Sequence, residues 1–174
     1  MNSNRKIFLI GYPGSGKSTY AKKIANYFNL PCLDTDKIIA QKLNLSISEI
    51  FNIYGEEYFR KCESEVLKYS IDEFEGFVMA TGGGLACNEN NIKTMLDNGI
   101  VVYVKASPEV LYNRIKNSKT IRPNHANDEN LFEKINKELV ERERFYQQAK
   151  YIVDSKRGCE KEIIYFCNQN KTLK

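Results

Sequence analysis

Apolar and polar positions follow two rhythms along this chain. Short, nearly unbroken apolar runs occur at 6–10 (KIFLI), 31–33 (PCL), 77–80 (FVMA), 100–104 (IVVYV) and 151–153 (YIV). Runs of that length without a polar face suit strands covered on both sides, as in a parallel sheet. Between them the apolar spacing changes to three and four. Ala21, Ile24, Ala25 and Phe28 share one face of a helix that begins in the glycine-rich turn after the first run and ends near Phe28. Ser46, with Glu49 three residues on, is a capping box for a short helix through Phe51. Gly55 interrupts the pattern, and a longer helix is predicted over 56–74. Ser107-Pro108 opens another helix, with proline where its missing N–H does no harm. A last strong helix is predicted over 129–149, and the aperiodic, polar stretch 118–128 before it reads as a mobile loop. Strands alternating with helices predict one α/β domain over 1–174, built on a parallel sheet.

Composition narrows the picture mainly by exclusion. A chain of 174 residues is long enough for one domain with a proper core and short for two. No window approaches the ~20 apolar residues of a membrane span. The start, MNSNRK followed by IFLIG, faintly suggests a secretory leader, but its apolar run is too short and flows directly into the glycine turn. The expectation is a cytoplasmic monomer with no membrane partner. A net charge of +4 with no long basic block argues against nucleic acid and suits a handler of small polyanions. Five cysteines without a Cys-x-x-Cys, beside the single histidine His125, leave almost no material for zinc. They are expected to be reduced and mostly buried thiols.

The glycine turn carries the first chemistry. Gly11-Tyr12-Pro13-Gly14-Ser15-Gly16-Lys17-Ser18 matches G-x-x-x-x-G-K-[ST] in full, between a predicted strand and a predicted helix. Glycines let successive N–H groups curl inward onto phosphate oxygens, and the helix adds the positive end of its dipole. Gly14, Ser15, Gly16, Lys17, Ser18 and Thr19 are thus the expected triphosphate cradle for ATP. Lys17 reaches the β- and γ-phosphates and Ser18 offers a hydroxyl to Mg²⁺. The N-K-x-D motif of a GTPase is absent, and a motor ATPase would need a larger domain and a second acidic signature. Small P-loop kinases remain.

Three further stretches fall at or just beyond the carboxyl ends of predicted strands, or on the helix above them: LDTD (33–36), GEEYFRKCESE (55–65) and ATGGG (80–84). Ligands bind at that edge of a parallel sheet. Together with the phosphate loop, these motifs resemble the shikimate kinase family from Ile7 to about Asp154. The resemblance implies a P-loop NTPase fold: a three-layer α/β/α sandwich with a five-stranded parallel sheet, of the nucleoside-monophosphate-kinase kind. It implies a lid at about 118–128 and an acceptor-binding region at about 34–64.

The same resemblance assigns roles. Asp34 lies near Mg²⁺, and Asp36 contacts the acceptor hydroxyl and is the base. Arg60 grips the shikimate carboxylate with a planar fork that lysine lacks. Read from their chemistry, Phe51 and Phe59 would supply apolar walls for a ring. A side chain at Gly82, Gly83 or Gly84 would occupy the volume the acceptor needs, so their N–H groups would meet its oxygens directly; in the family this run lines the pocket. Arg114 sits near adenine, Arg122 is the lid arginine that reaches ATP, and Arg142 is the second carboxylate arginine, with Arg144 as its rival. Lys156 or Arg157 skirts the adenine. Competing readings make Asp34 a helix cap and Arg60 an ion pair with Glu56 or Glu63. One departure stands out: the family follows its lid Arg-Pro with two aliphatic residues, where this chain has Asn124 and His125.

The implied reaction is ATP- and Mg²⁺-dependent phosphorylation of the 3-hydroxyl of shikimate, yielding shikimate 3-phosphate in the route to aromatic amino acids. The alternatives are a kinase of the same architecture for gluconate or a nucleoside monophosphate, and a non-catalytic ATP-binding module.

Overall fold

Alternate residues of the first strand, β1 (Lys6–Ile10), feed two different cores. Phe8 and Ile10 point to one side of the sheet and Ile7 and Leu9 to the other, all fully buried. That is the period-two geometry of a strand with both faces covered. The computed structural model describes residues 4–117, 130–155 and 158–170. The predicted lid with Arg122, Asn124 and His125, and the pair Lys156-Arg157, lie outside the described residues.

The strands β1, β2 (Cys32–Asp34), β3 (Phe77–Ala80), β4 (Ile100–Lys105) and β5 (Tyr151–Asp154) form a parallel sheet in the order β2-β3-β1-β4-β5. Lys6 is in register with Phe77 on one side of β1, and Ile7 with Ile100 on the other. The order reverses direction at β1, so the loops leaving β1 and β3 part and open a crevice at their carboxyl ends. Each strand predicted from an apolar run is present; β2, β4 and β5 each end one residue later than predicted.

Helices α1 (Lys17–Phe28), α2 (Thr35–Leu43), α3 (Ile47–Glu73), α4 (Glu89–Asn98), α5 (Pro108–Lys116), α6 (Leu131–Tyr146) and α7 (Glu160–Gln169) cover the sheet. On one face α1 and α7 supply Ile24, Ala25, Ile163 and Cys167; on the other α3, α4 and α6 supply Leu67, Met95, Ile135 and Tyr146. A third, smaller cluster of Ile39, Ile50, Phe59 and Val66 holds α2 against α3, away from the sheet. The capping box at Ser46 forms as predicted: the Glu49 N–H donates to Ser46 Oγ and the Ser46 N–H to Glu49 Oε2. The break at Gly55 is also real, with φ +80° and ψ 172° interrupting α3.

Two helices and a 3₁₀ turn (Leu85–Cys87) have no counterpart in the sequence reading. In α4 the apolar burial rests on Ile92 and Met95, and in α7 on Ile163 with Cys167, too few positions to show a period. Instead α4 is started by Asn88, whose side chain accepts from the N–H groups of Asn90 and Asn91. The cysteines are free thiols; Cys159 and Cys167 are buried, Cys62 and Cys87 partly so, and Cys32 is exposed. No helix among the described residues is long and apolar enough to cross a membrane.

Candidate active site

The glycine turn after β1 builds a cradle from backbone. Gly14 and Gly16 hold φ of +85° and +100°, a region that side chains strain to enter. Gly16 is the N-cap of α1, so the first turn of that helix opens at the mouth of a cavity of about 580 Å³. Gly14, Gly16, Lys17, Ser18, Thr19, Asp34, Asp36, Gly83 and Arg114 line it. The buried Lys17 ammonium donates to Gly11 O at 2.7 Å and Tyr12 O at 2.9 Å, which ties it to the loop that it serves. Ser15 is wholly buried behind the loop rather than in the cavity lining.

Ser18 and Asp34 meet directly, with Ser18 Oγ donating to Asp34 Oδ2 at 2.8 Å. Asp34 also caps α2 by accepting from the Lys37 N–H, so the capping reading and a position beside the phosphate loop hold together. Among the described residues no cluster of three or more His, Cys, Asp or Glu could cage a metal ion. A hydroxyl beside a carboxylate at a phosphate cradle nevertheless fits Mg²⁺, which takes few protein ligands and completes its shell with phosphate oxygens and water. Arg114 fans its donors onto Gly14 O, Ser15 O and Ser155, tying the back of the loop to the chain after β5. Its guanidinium is thus spent largely on backbone.

A second cavity of about 550 Å³ is built from side chains instead. Arg60 and Ser64 of α3, Gly84, Cys87, Asn91, and Arg142, Arg144 and Phe145 of α6 line it. Arg60 Nη1 donates to Glu63 Oε2 at 2.6 Å, while Nε and Nη2 both donate to Glu56 Oε1. The predicted ion pairs therefore exist, and the arginine still faces the cavity. Burial alone would depress the Arg60 pKa, but Glu63 and Glu56 outweigh it and raise it. Arg142 donates to Glu138 Oε2 at 2.6 Å with its guanidinium 5.1 Å above the Tyr12 ring. Arg144 rests on Phe145. Both α6 arginines line this cavity.

The glycine run after β3 joins the two cavities, for a steric reason that differs from the predicted one. The expectation was that side chains here would fill acceptor space. A Cβ on Gly82 would instead lie 2.6 Å from Asp36 Oδ1 and 2.2 Å from Glu63 Oε1. On Gly83 it would strike Pro13 at 2.4 Å, and on Gly84 it would strike Arg60 Nη1 at 2.2 Å. The run makes room for working side chains and for the phosphate loop. Nor does the Gly82 N–H point into a pocket: it donates to Thr35 Oγ1 at 2.7 Å.

The two phenylalanines are placed differently from expectation. Phe51 and Phe59 pack against each other with ring centroids 4.7 Å apart, inside the α2–α3 cluster, and neither is in the lining of the two cavities. They brace the helix that carries Arg60 rather than wall its cavity. Conversely, Cys87, Asn88 and Asn91 line the arginine cavity and were not anticipated, because the 3₁₀ turn and α4 that carry them left no periodic signal. Tyr146 at the end of α6 likewise carried no signal of a role, yet its buried hydroxyl donates to Gly83 O at 2.6 Å. Burial, then the neighbouring Cys87, holds its pKa well above the usual tyrosine value.

The family model described as shikimate kinase matches residues 13–169. The shikimate kinase of Azobacteroides pseudotrichonymphae is 40% identical over 163 residues, covering 92% of this chain and 95% of that protein. Among solved structures, a shikimate kinase from Acinetobacter baumannii in complex with shikimate superposes with a TM-score of 0.86 at 30% identity, covering 98% of this chain and 96% of the other. One from Bacteroides thetaiotaomicron gives 0.85 at 31% identity, covering 95% and 97%. With its sheet order, its phosphate loop and the glycine run between two cavities all accounted for, the chain belongs to the shikimate kinase family.

Proposed function

We propose that the protein transfers the γ-phosphoryl group of ATP to the 3-hydroxyl of shikimate, giving shikimate 3-phosphate and ADP. The observation that carries this reading is contiguity. Gly83 lines the phosphate-loop cavity and its neighbour Gly84 the arginine cavity, so an acid held in one presents its alcohol to a phosphoryl group held in the other.

Asp36 lies at the seam, beside Gly82 and in the lining of the phosphate cavity. It accepts the proton of the acceptor hydroxyl as the oxygen bonds to the γ-phosphorus and the bond to the β-bridging oxygen breaks. Lys17 and the α1 amides neutralise charge on the phosphates. Arg122, outside the described residues, joins them on the family resemblance alone. Magnesium, when bound, would be held by Ser18 and Asp34 and would supply further charge neutralisation. Arg60 and Arg142 hold the acceptor carboxylate, and Glu63 keeps Arg60 aimed.

The test is a coupled ADP-release assay offering shikimate, quinate, gluconate and AMP in parallel. Turnover with shikimate far above the others is expected; turnover only with gluconate or AMP would overturn the acceptor assignment. Nucleotide binding without turnover would overturn the enzymatic reading itself. We place the protein in the cytoplasm as a monomer, for which light scattering should return the 20.1 kDa chain mass at assay concentration.

A further inference from the structure

The phosphate loop sends its largest side chain away from its own cavity. Tyr12 follows the first glycine of the loop and is almost fully buried. Its hydroxyl donates to Glu138 Oε2 at 3.0 Å, across 126 residues of sequence. The same carboxylate oxygen accepts from Arg142 Nη2 at 2.6 Å, and the Arg142 guanidinium lies over the Tyr12 ring. Meanwhile the Tyr12 carbonyl accepts from the Lys17 ammonium at 2.9 Å. One residue therefore touches the phosphate lysine with its backbone and an arginine of the other cavity with its ring.

We propose that Tyr12 and Glu138 are positioning residues for Arg142, so that the phosphate loop aims the arginine that receives the acceptor carboxylate. This rests on the reading of Arg142 as a carboxylate ligand. An arginine side chain loses much rotamer freedom when fixed, and a ligand that must fix it binds more weakly for that reason. At Arg142, besides its contact with the Tyr146 hydroxyl, two restraints linked to the phosphate loop act before any ligand arrives. The ring supports one face of the guanidinium plane, and Glu138 holds one edge. The two restraints are themselves linked, because the Tyr12 hydroxyl bonds the Glu138 carboxylate. Arg60 is held differently. Its carboxylate partners, the exposed Glu56 and the buried Glu63, come from its own helix, and the ring it lies over is that of its sequence neighbour Phe59. Arg144 leans on its sequence neighbour Phe145 and is exposed. Of the three, Arg142 is the one that lies over a ring of the phosphate loop.

The experiment is a double-mutant cycle read by titration calorimetry with shikimate, alongside KM and kcat for both substrates. Tyr12→Phe keeps the ring and removes one hydroxyl, and should raise the shikimate Kd about fivefold, the size of one lost hydrogen bond. The KM for ATP should change less than the KM for shikimate. In an Arg142→Lys background the same Tyr12→Phe change should alter the shikimate Kd by less than about twofold, because the group that it positions is gone. Glu138→Ala, at a partly exposed helix position, is the second variant: it should weaken shikimate and abolish any further effect of Tyr12→Phe. Equal effects of Tyr12→Phe in the wild-type and Arg142→Lys backgrounds would overturn the proposal, as would an ATP KM that moves as far as the shikimate KM. Failure of the underlying reading looks different: there Arg142→Lys by itself leaves the shikimate Kd unchanged.

Discussion

The two cavities are assembled on opposite principles. The phosphate-loop cavity is built around a run of consecutive residues, Gly11 to Thr19, and leans on backbone: carbonyls, amides and a helix start. The arginine cavity gathers α3, the glycine run, the 3₁₀ turn, α4 and α6, and its polar surface is made of side chains, three of them long arginines. Backbone needs no partner to stay aimed, whereas a guanidinium on a flexible stem does. Hence Arg60 is held by the buried Glu63 and Arg142 by Glu138, each a glutamate of the same helix. A backbone site is sensitive to the chain's path, and a side-chain site to the charges that hold it.

Substitutions should divide along that line. Asp36→Asn, at the seam, should have the largest effect and lower kcat by about 10²–10⁴, the usual size of a general-base contribution, with nucleotide affinity within a few-fold of wild type. A kcat within threefold of wild type in the ADP-release assay would remove Asp36 from the chemistry. Arg60→Lys keeps the charge but loses the fork. It should raise the shikimate KM by roughly 10–100-fold, the worth of a charge-assisted bond, and the ATP KM by far less. A comparable rise in both would mean that the cavities are not separate. Gly84→Ala tests the steric reading: a methyl 2.2 Å from Arg60 Nη1 must push the guanidinium aside. The expected result is about a fivefold loss in acceptor affinity, near the low end for overpacking. Glu56→Gln should act in the opposite direction. The exposed Glu56 carboxylate occupies the Nε–Nη2 edge of Arg60, so neutralising it should lower the shikimate KM by about two- to fivefold, the range of an exposed pair. A raised KM would instead make Glu56 part of the acceptor contact.

The smallest effect expected is that of pH. Burial alone would lower the pKa of both arginines, but Glu63 and Glu56 at Arg60, and Tyr146 and Glu138 at Arg142, outweigh it and raise them above the usual arginine value. A group with a raised pKa keeps its charge until pH climbs through that raised value, so Arg60 and Arg142 stay cationic over any assay range. The acceptor KM should therefore be flat from roughly pH 6 to 9 as far as these two groups are concerned. An inflection there that disappears in Arg60→Lys would contradict it.

What could be read from the sequence follows the same division. The phosphate loop was legible because its geometry depends on glycines and a lysine at fixed short spacings. The strands were legible because burial on both faces leaves unbroken apolar runs such as FVMA. Arg60 and Arg142 could be placed by resemblance, but what holds them could not. The hydroxyl of Tyr12 meets Glu138 only after the sheet has formed, and no local pattern announces a contact of that span. Phe51 and Phe59 were read as cavity wall because aromatics beside an arginine suit a ring; successive helical positions point about 100° apart, which turns Phe59 into the α2–α3 cluster while Arg60 faces out. The glycine run was found for its composition, yet its cause lies in atoms from Pro13, Asp36, Arg60 and Glu63 that only folding assembles.

The small cluster of Ile39, Ile50, Phe59 and Val66 stands apart from the sheet, while β1 lies at its centre with a strand on either side. Peripheral units of that kind open more readily than central strands. Under mild denaturant or heat, the molecule should grow blind to its acid before it loses its grip on the nucleotide, passing through a form that still docks ATP but has nothing to hand the phosphate to.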